Sequence, residues 1–330
     1  MIILPLAGST RAATRPRYGG VLRVEIRESI ESVDPPNSGT GLGDLMGAFS
    51  ITSWEAGRRA SYAADNNAPG GRPFVDAVEV QMGRPLREQS IDLEVGKADV
   101  IELGAGEPRR GAGGRKMWIS APVRMVALVF GPRVEDARIR EGLALAVDRT
   151  AILNVLLQRQ GEISGALLPQ WISGYAFLFP SDRDLGRARA LIAAASPGAR
   201  SLSLGVEDAS LRAMADRVAL NARDAGLAVA TAPRTNASDV RLVEVEVAAS
   251  DPAKALAAIA AALGLTAPAH MESTEAVYNA ERAMLEGFRV VPLFHLPDVY
   301  GAGPRVKGGV GISPLGQWKF ENVCLEGDRP

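Results

Sequence analysis

The clearest structural pattern in this chain is the stretch Asp136-Ala137-Arg138-Ile139-Arg140-Glu141-Gly142-Leu143-Ala144-Leu145-Ala146-Val147-Asp148-Arg149. Its apolar residues recur at the spacing of an α-helix and share one face, namely Ile139, Leu143, Ala146 and Val147. Asp148 then stands where an N-cap belongs, ahead of a second apolar set at Ile152, Val155 and Leu156. The stretch therefore predicts two consecutive helices, the second closed by Gly161.

Strand and helix patterns extend from this stretch in both directions. Upstream, strands are predicted at 21–26, 49–54, 74–80 and 99–103. Downstream, strands are predicted at 201–206, 227–231, 240–247 and 288–294. Helices are predicted at 185–195, 209–225, 252–263 and 275–286. This succession predicts a protein of the α/β class.

Composition narrows the classes of partner. The chain has 330 residues, 47% of them hydrophobic, so it can bury a core. Its 37 basic and 38 acidic residues give a net charge of −1, which argues against nucleic acid or an anionic membrane as partner. No apolar run reaches the roughly 20 residues that span a bilayer. We therefore expect no nucleic-acid partner and no stable membrane insertion.

The residues that commonly perform catalysis or bind metals form no recognisable pattern. The single Cys324 excludes a disulfide framework, and the two histidines leave little for a metal site. His295, at the end of an apolar strand, is predicted to be packed with one hydrogen bond, and His270 to be exposed. The G-x-S-x-G signature of a nucleophilic serine is absent. We expect neither an enzyme nor a cofactor.

Two further features allow more than one interpretation. Glu244 and Glu246 lie two apart on one strand face, which fits an acid–base pair or, more simply, the solvated face of a half-buried strand. The segment 104–116 (GAGEPRRGAGGRK) lacks the Lys-Ser/Thr end of a P-loop, and Arg109 replaces the third glycine of a dinucleotide turn. The third interpretation is a mobile surface loop, which requires only that the segment be rich in glycine and polar residues.

An aromatic loop follows the second helix. It places Trp171, Tyr175, Phe177 and Phe179 between two prolines. These side chains fit a plug that packs the loop onto a core, and they equally fit the wall of a ligand pocket, since pockets are lined by aromatic residues with a few polar groups.

Several segments, in order, resemble the extracytoplasmic solute-binding proteins of family 5, which serve ABC importers of peptides, nickel and related solutes. The segments are 18–24 (YGGVLRV), 33–35 (VDP), 47–49 (GAF), 54–58 (WEAGR), 71–76 (GRPFVD), 95–100 (VGKADV), 136–149, and 168–169 with 174–175 (LP and GY). The match at 136–149 is the most specific, because the family reads D-x-R-[VI]-R-x-A-L-x-x-A-[IV]-D-R there.

The resemblance implies a two-lobed periplasmic-binding-protein-like fold of type II, with ligand enclosed between the lobes. Only residues 36–46 separate two family segments that are normally far apart, so part of the N-terminal lobe is expected to be missing. We place the first lobe at 15–118 plus 290–330 and the second at 119–289. The apolar start and small residues at 1–14 resemble the end of a signal peptide without its basic region, or else a frayed terminus.

The expected function is delivery of a small solute, peptide-like or other, to an ABC permease by a periplasmic monomer. The alternative is a degenerate binding or interaction module on the same fold, without transport. Seven residues are candidates for ligand binding, namely Glu28, Ser29, Trp54, Trp171, Tyr175, Phe177 and Glu246.

One departure from the family concerns the ligand. Peptide binders of the family carry W-x-x-D-x-x-D-P, and here Asp251-Pro252 ends that motif while Val245 and Ala248 replace its Trp and first Asp. Without that carboxylate a peptide ammonium group loses its charge-assisted hydrogen bond. We predict weak or no binding of free di- and tripeptides, and a neutral or differently anchored solute. Glu246 is the nearest carboxylate that could take over the role.

Overall fold

A computed structural model describes residues 17–32, 47–104, 116–175, 178–206, 208–233, 237–247, 249–267, 270–309 and 311–326. The predicted signal remnant, the link at 36–46, residues 105–115 of the glycine-rich segment, Phe177 and Ala248 lie outside these residues. The strands are β1 (Val21–Glu25), β2 (Phe49–Glu55), β3 (Arg59–Ala64), β4 (Ala77–Gln81), β5 (Val100–Leu103), β6 (Lys116–Phe130), β7 (Glu162–Ile163), β8 (Ser201–Val206), β9 (Ala228–Pro233), β10 (Val240–Glu246), β11 (Val290–Ala302), β12 (Val306–Gly308), β13 (Gly311–Ile312), β14 (Trp318–Lys319) and β15 (Val323–Leu325). The helices are α1 (Leu86–Glu94), α2 (Ala137–Ala146), α3 (Arg149–Val155), α4 (Gln170–Ser173), α5 (Leu185–Ala194), α6 (Arg212–Asp224), α7 (Pro252–Leu263) and α8 (Thr274–Leu285).

Eleven of the described strands form one mixed sheet. Its order is β2-β3-β4-β1-β5-β11-β6-β10-β8-β9, and β7 pairs with β11 beside this path. The pairs β1/β4, β1/β5, β8/β9 and β8/β10 are parallel, and the other pairs are antiparallel. A mixed sheet with helices packed on it confirms the predicted α/β class. None of the described helices is long and apolar enough to cross a membrane.

The two longest strands, β6 and β11, join two parts of the sheet. Residues 299–302 of β11 pair with β5, whereas residues 124–130 of β6 pair with β10. We call the part containing β1–β5 the first half and the part containing β8–β10 the second half. The ladder between β6 and β11 shifts register next to Pro292 and Pro297, as expected of a residue that has no N–H to donate.

In the second half, alternate residues of β6 enter two separate cores. Val126 and Leu128 pack with α2, α5 and α6 on one face, while Met125 and Ala127 pack with α7 and α8 on the other. This alternation follows from the period of two along a strand, which turns successive side chains to opposite faces. The helices therefore cover both faces of the second half.

The first half has a core of its own, to which the C-terminal strands contribute. Trp318 and Phe320 are fully buried and stack with ring centroids 5.3 Å apart. Tyr300 of β11 meets Trp318 edge to face at 5.4 Å. The C-terminal segment thereby fixes the end of β11 onto the first half.

Capping residues set the bounds of several helices, and the predicted cap at Asp148 is among them. The side chain of Asp148 accepts a hydrogen bond from Ala151 N, which begins α3. Asp251 accepts one from Lys254 N ahead of Pro252, and α7 ends at a left-handed Gly264. The prediction that Gly161 closes α3 is wrong, because the helix ends at Val155. Gly161 has φ +100°, and a Cβ there would lie 2.6 Å from the His295 carbonyl oxygen, so the glycine lets the chain approach β11.

Candidate ligand-binding site

A cavity of about 290 Å³, here called the main cavity, lies where residues of both halves meet. One side of it is apolar and combines α1 and β5 of the first half with α6 of the second. The apolar residues that line it include Leu86, Leu103, Leu156, Leu157, Leu211, Met214 and Leu296. The other side is polar, with Arg27, Glu102, Arg124, Glu244, Asp298 and Tyr300.

A second cavity, of about 330 Å³, adjoins the first and is called here the acidic cavity. It shares Arg27, Glu102, Arg124 and Glu244 with the main cavity and adds Glu28, Asp208 and Glu246. Five carboxylates thus face two guanidinium groups, a formal charge of −3. The two cavities together have an apolar end and an acidic end.

Arg27 bridges the two halves at the boundary between the cavities. Its Nε donates to Glu102 Oε2 at 3.2 Å, and its Nη1 donates to Asp208 Oδ2 at 3.2 Å. Its Nη2 lies 3.7 Å from Glu244 Oε1. Burial lowers the pKa of Arg27, but the neighbouring carboxylates outweigh that effect and raise it overall. Arg27 is therefore a fixed positive charge with three acidic partners.

Arg124, in the middle of β6, is the second fixed cation. Its Nε donates to Asp298 Oδ1 in a short contact, and its Nη1 lies 3.6 Å from Glu244 Oε1. Burial opposes its charge, yet the carboxylates of Asp298 and Glu244 raise the pKa of Arg124 well above its usual value. Both arginines are thus already engaged with protein carboxylates.

Glu246 is the least satisfied member of this group. Its Oε1 is buried and has no hydrogen-bond partner among the described residues. It stands opposite Arg124 in the β6/β10 ladder. Burial raises the pKa of Glu246 to about 8, with the charge of Arg124 opposing and those of Asp298 and Glu28 adding to the rise. Burial likewise raises the pKa of Glu244, against the attraction of Arg124 and Arg27.

The interpretation of Glu244 and Glu246 as a solvated strand face is wrong. Val243 and Val247 do pack into the core on the α7 and α8 side, as the alternation requires. The opposite face carries the two glutamates, but it lies under the segment after β1 and lines the acidic cavity. Long-range packing of the first half against the second therefore buries a pair that looks exposed in the local pattern.

The other predicted binding residues lie in different places. Glu28 lines the acidic cavity, while Ser29 is exposed and lies outside the linings of both cavities. Trp54 of β2 is half-buried and packs against the first-half core. Trp171 donates its indole N–H to Pro122 O at 2.8 Å. The roles of these residues in binding stay predictions.

Tyr175 belongs to a separate cavity of about 260 Å³, together with His295. Its hydroxyl donates to Glu281 Oε2 at 2.5 Å, and its ring meets Tyr278 edge to face. Burial raises the pKa of Tyr175 well above its usual range, and the carboxylate of Glu281 adds to the rise. These contacts favour the plug interpretation of the aromatic loop for Tyr175. His295 is 2% exposed with one hydrogen bond, to Leu167 O at 2.9 Å, as predicted.

Sequence reasoning missed most of the charged residues in the two cavities. They are Arg27, Glu102, Arg124, Asp208 and Asp298. A usable signal existed for two of them, because Arg27 follows β1 and Glu102 nears the end of the parallel strand β5. Ligands of open α/β sheets bind outside the carboxyl ends of parallel strands.

The sequence and the structure were compared with those of known proteins. The sequence profile described as "Bacterial extracellular solute-binding proteins, family 5 Middle" matches residues 34–269. A comparison with curated protein sequences gave no match.

Solved structures of low sequence identity share the fold. NikA from Staphylococcus aureus, in complex with Ni(L-His)2, is 14% identical with a TM-score of 0.70 over 84% of this chain and 68% of its own. A dipeptide-binding protein from Pseudoalteromonas sp. SM9913, in complex with Met-Leu, is 12% identical with a TM-score of 0.68, and the match covers 84% of this chain and 64% of its own. CtaP, an ABC transporter substrate-binding protein from Listeria monocytogenes, is 14% identical with a TM-score of 0.68, and the match covers 84% of this chain and 66% of its own.

The chain spans about two thirds of the length of these structures, which agrees with the expected shortening. The likeness shows the fold of a two-lobed periplasmic binding protein. Since the family profile covers well over half of the residues, the chain belongs to family 5 of the bacterial extracellular solute-binding proteins.

Proposed function

We propose that this protein binds a small solute in the adjoining main and acidic cavities and delivers it to an ABC importer. The observation that carries the proposal is the main cavity, to which both halves contribute side chains. Family membership supports it, and so do the relatives with bound dipeptide or nickel complex. A binding site built from two halves can release its solute when the halves separate.

We propose that the protein has two lobes, 15–118 plus 290–330 and 119–289, each built around one half of the sheet. The strands β6 and β11 are the connections between them. We place the crossing points near Pro122 and Pro297, because the β6/β11 ladder is irregular there. Hinges of this kind need few residues that absorb backbone rotation.

The partners we propose are a solute and a permease, with the protein exported to the periplasm as a monomer. Fractionation of cells that express the gene with its upstream codons checks the location. Recovery of the protein in the cytosol alone would contradict export.

Native mass spectrometry of the protein as purified from the periplasm tests solute binding. We expect an additional non-covalent mass that is released on denaturation. The variant Ala213→Trp should abolish it, because Ala213 of α6 lines the main cavity and is exposed enough to accept a larger side chain. Leu220→Trp, on the same helix but 43% exposed and outside the cavity lining, is the matched control and should keep the mass.

Two results would contradict the proposal. One is an identical bound mass in both tryptophan variants, which would place the solute elsewhere. The other is a wild-type protein that carries no solute and binds none, which would favour an interaction module without transport.

A further inference from the structure

We propose that the solute is a small organic monocation with an apolar body, whose cationic group contacts Glu246 and Glu28 while its apolar part fills the leucine-lined end of the main cavity. This inference rests on the proposed function and names the class of solute. It goes beyond the sequence-based expectation, which left a neutral solute open.

The distribution of polarity over the two cavities gives the first argument. Leucines and Met214 line one end, and carboxylates line the other. The two ends adjoin at Arg27, Glu102, Arg124 and Glu244, which line both cavities. A solute that fills both must itself be apolar at one end and polar at the other.

The pairing of charges gives the second argument. Arg27 contacts Glu102, Asp208 and Glu244, and Arg124 contacts Asp298 and Glu244. Glu28 and Glu246 have no such contact with either arginine among the described residues, although Arg124 attracts Glu246 at longer range. Glu28 and Glu246 are therefore the carboxyl groups of the acidic cavity that no arginine contacts, and a solute cation beside Glu246 would favour its ionised form.

The buried oxygen of Glu246 gives the third and independent argument. Oε1 lacks a hydrogen-bond donor among the described residues although it is shielded from solvent. A buried acceptor without a donor is costly, and a positively charged N–H donor satisfies it best. An ammonium or guanidinium group placed between Glu246 and Glu28 would supply that donor and also reduce the excess negative charge.

Anions, zwitterions and bare metal ions fit this site poorly. The two guanidinium groups are engaged, so a solute carboxylate would meet five acidic groups without a free cation. A free peptide carries such a carboxylate. The described residues contain no group of three or more His, Cys, Asp or Glu arranged to hold a metal ion. An organic cation without a carboxylate remains.

Isothermal titration with matched probes tests the class of solute. The probes are 2-phenylethylamine against 2-phenylethanol and hexylamine against hexanol, each titrated at pH 8 into exhaustively dialysed protein. We expect at least one amine to bind about tenfold or more tightly than its alcohol, as a charge-assisted hydrogen bond in a shielded site requires. Glu246→Gln should abolish that preference and leave the affinity for the alcohol within about twofold.

Two further variants keep the test decisive. Glu28 is exposed, so Glu28→Gln should fold normally and weaken amine binding severalfold. Glu79→Gln, a half-buried glutamate of β4 outside both cavities, is the matched control and should change nothing. Circular dichroism and thermal melting check that each variant is folded.

The outcomes separate this inference from the proposed function. If native mass spectrometry finds a solute that Ala213→Trp abolishes, the function stands. The cation inference is nevertheless overturned if that solute lacks a cationic group, if alcohols bind as tightly as amines, if no amine binds, or if Glu246→Gln keeps the amine preference. If no solute and no probe binds the wild-type protein, both are overturned.

Discussion

Replacing Glu246 by glutamine should stabilise the unliganded protein at pH 8 and change its stability little at pH 4.5. Burial raises the pKa of the Glu246 carboxyl to about 8, against an ordinary value of 4.5 for the unfolded chain. Between these pH values the folded state holds a proton that the unfolded state has lost. The free energy of unfolding of the wild type therefore falls as pH rises through this window.

The size of the effect follows from the displacement of the pKa. Each pKa unit corresponds to about 1.36 kcal/mol, so the rise from 4.5 to about 8 corresponds to about 5 kcal/mol. This is the most that ionisation of Glu246 can lower the free energy of unfolding of the wild type. Glutamine keeps the size and hydrogen-bonding capacity of the protonated acid and cannot ionise. The difference between variant and wild type should hence grow from near zero at pH 4.5 to about 2–5 kcal/mol at pH 8.

Urea denaturation of both proteins at pH 4.5, 5.5, 6.5, 7.5 and 8.5 measures this difference. Titration of all other groups cancels in the comparison. Glu79→Gln, on a strand outside the two cavities, controls for the loss of a carboxylate as such. A difference that does not depend on pH, or a Glu246→Gln variant less stable than wild type at pH 8, would refute the reasoning.

Four further predictions concern the surrounding structure. Arg124→Met should lower the free energy of unfolding by about 3–5 kcal/mol in urea titrations at pH 7, because it leaves buried carboxylates unpaired; an unchanged value would show that the cluster is not buried in solution. Tyr175→Ala should cost about 3–5 kcal/mol and leave the bound solute detectable by native mass spectrometry, because Tyr175 contacts Glu281 outside both cavities; loss of solute at unchanged stability would instead make it a pocket residue. Burial lowers the pKa of His295 to about 4 from 6.5, so the folded state binds fewer protons than the unfolded state between these pH values. The free energy of unfolding of the wild type should therefore fall by up to about 3 kcal/mol as the pH drops from 6.5 to about 4. The free energy of unfolding of His295→Gln should fall less over the same acid titration. An equal fall in both proteins would show that other groups cause the loss of stability. Calorimetry with a mixed dipeptide panel should detect weak or no binding, and micromolar binding that disappears on N-acetylation of the peptide would be the contrary result.

Local signals predicted the helices α5 to α8 and the outer strands of the second half well. Asp251-Pro252 at the start and Gly264 at the end fix α7, since a cap, a proline in the first turn and a left-handed glycine each act within a few residues. The strand β8 was likewise predicted with its observed bounds, 201–206.

The centre of the sheet was not predictable in the same way. The strand β6 contains Ser120-Ala121-Pro122, which breaks the alternation, and no strand was predicted there. The prediction for β11 stopped at 294, short of Pro297, although the strand continues to Ala302. Prolines are tolerated inside both strands only because the ladder between them shifts register, a property of the pair.

The candidate site depends on the same long-range pairing. Glu246 is half-buried, with its Oε1 shielded from solvent, and it shares the acidic cavity with Arg27 and Glu28, which are far from it in sequence. The pattern around Glu246 contains only alternation, which assigned its face to solvent. Charge clusters of this kind become visible when strands from both ends of the chain are placed side by side.

The position of β11 in the sheet has a consequence for how the chain folds. Of the eleven strands in the large sheet it is the last to be synthesised, yet it lies between β5 and β6 in the middle. Until it is inserted, β5 and β6 each present an open edge, and open edges recruit other chains. Closing contacts between residues so distant in sequence also slows folding. A nascent chain that ends before residue 290 therefore has two incomplete sheets, and the large sheet is completed by insertion of a central strand that is synthesised after both of its neighbours.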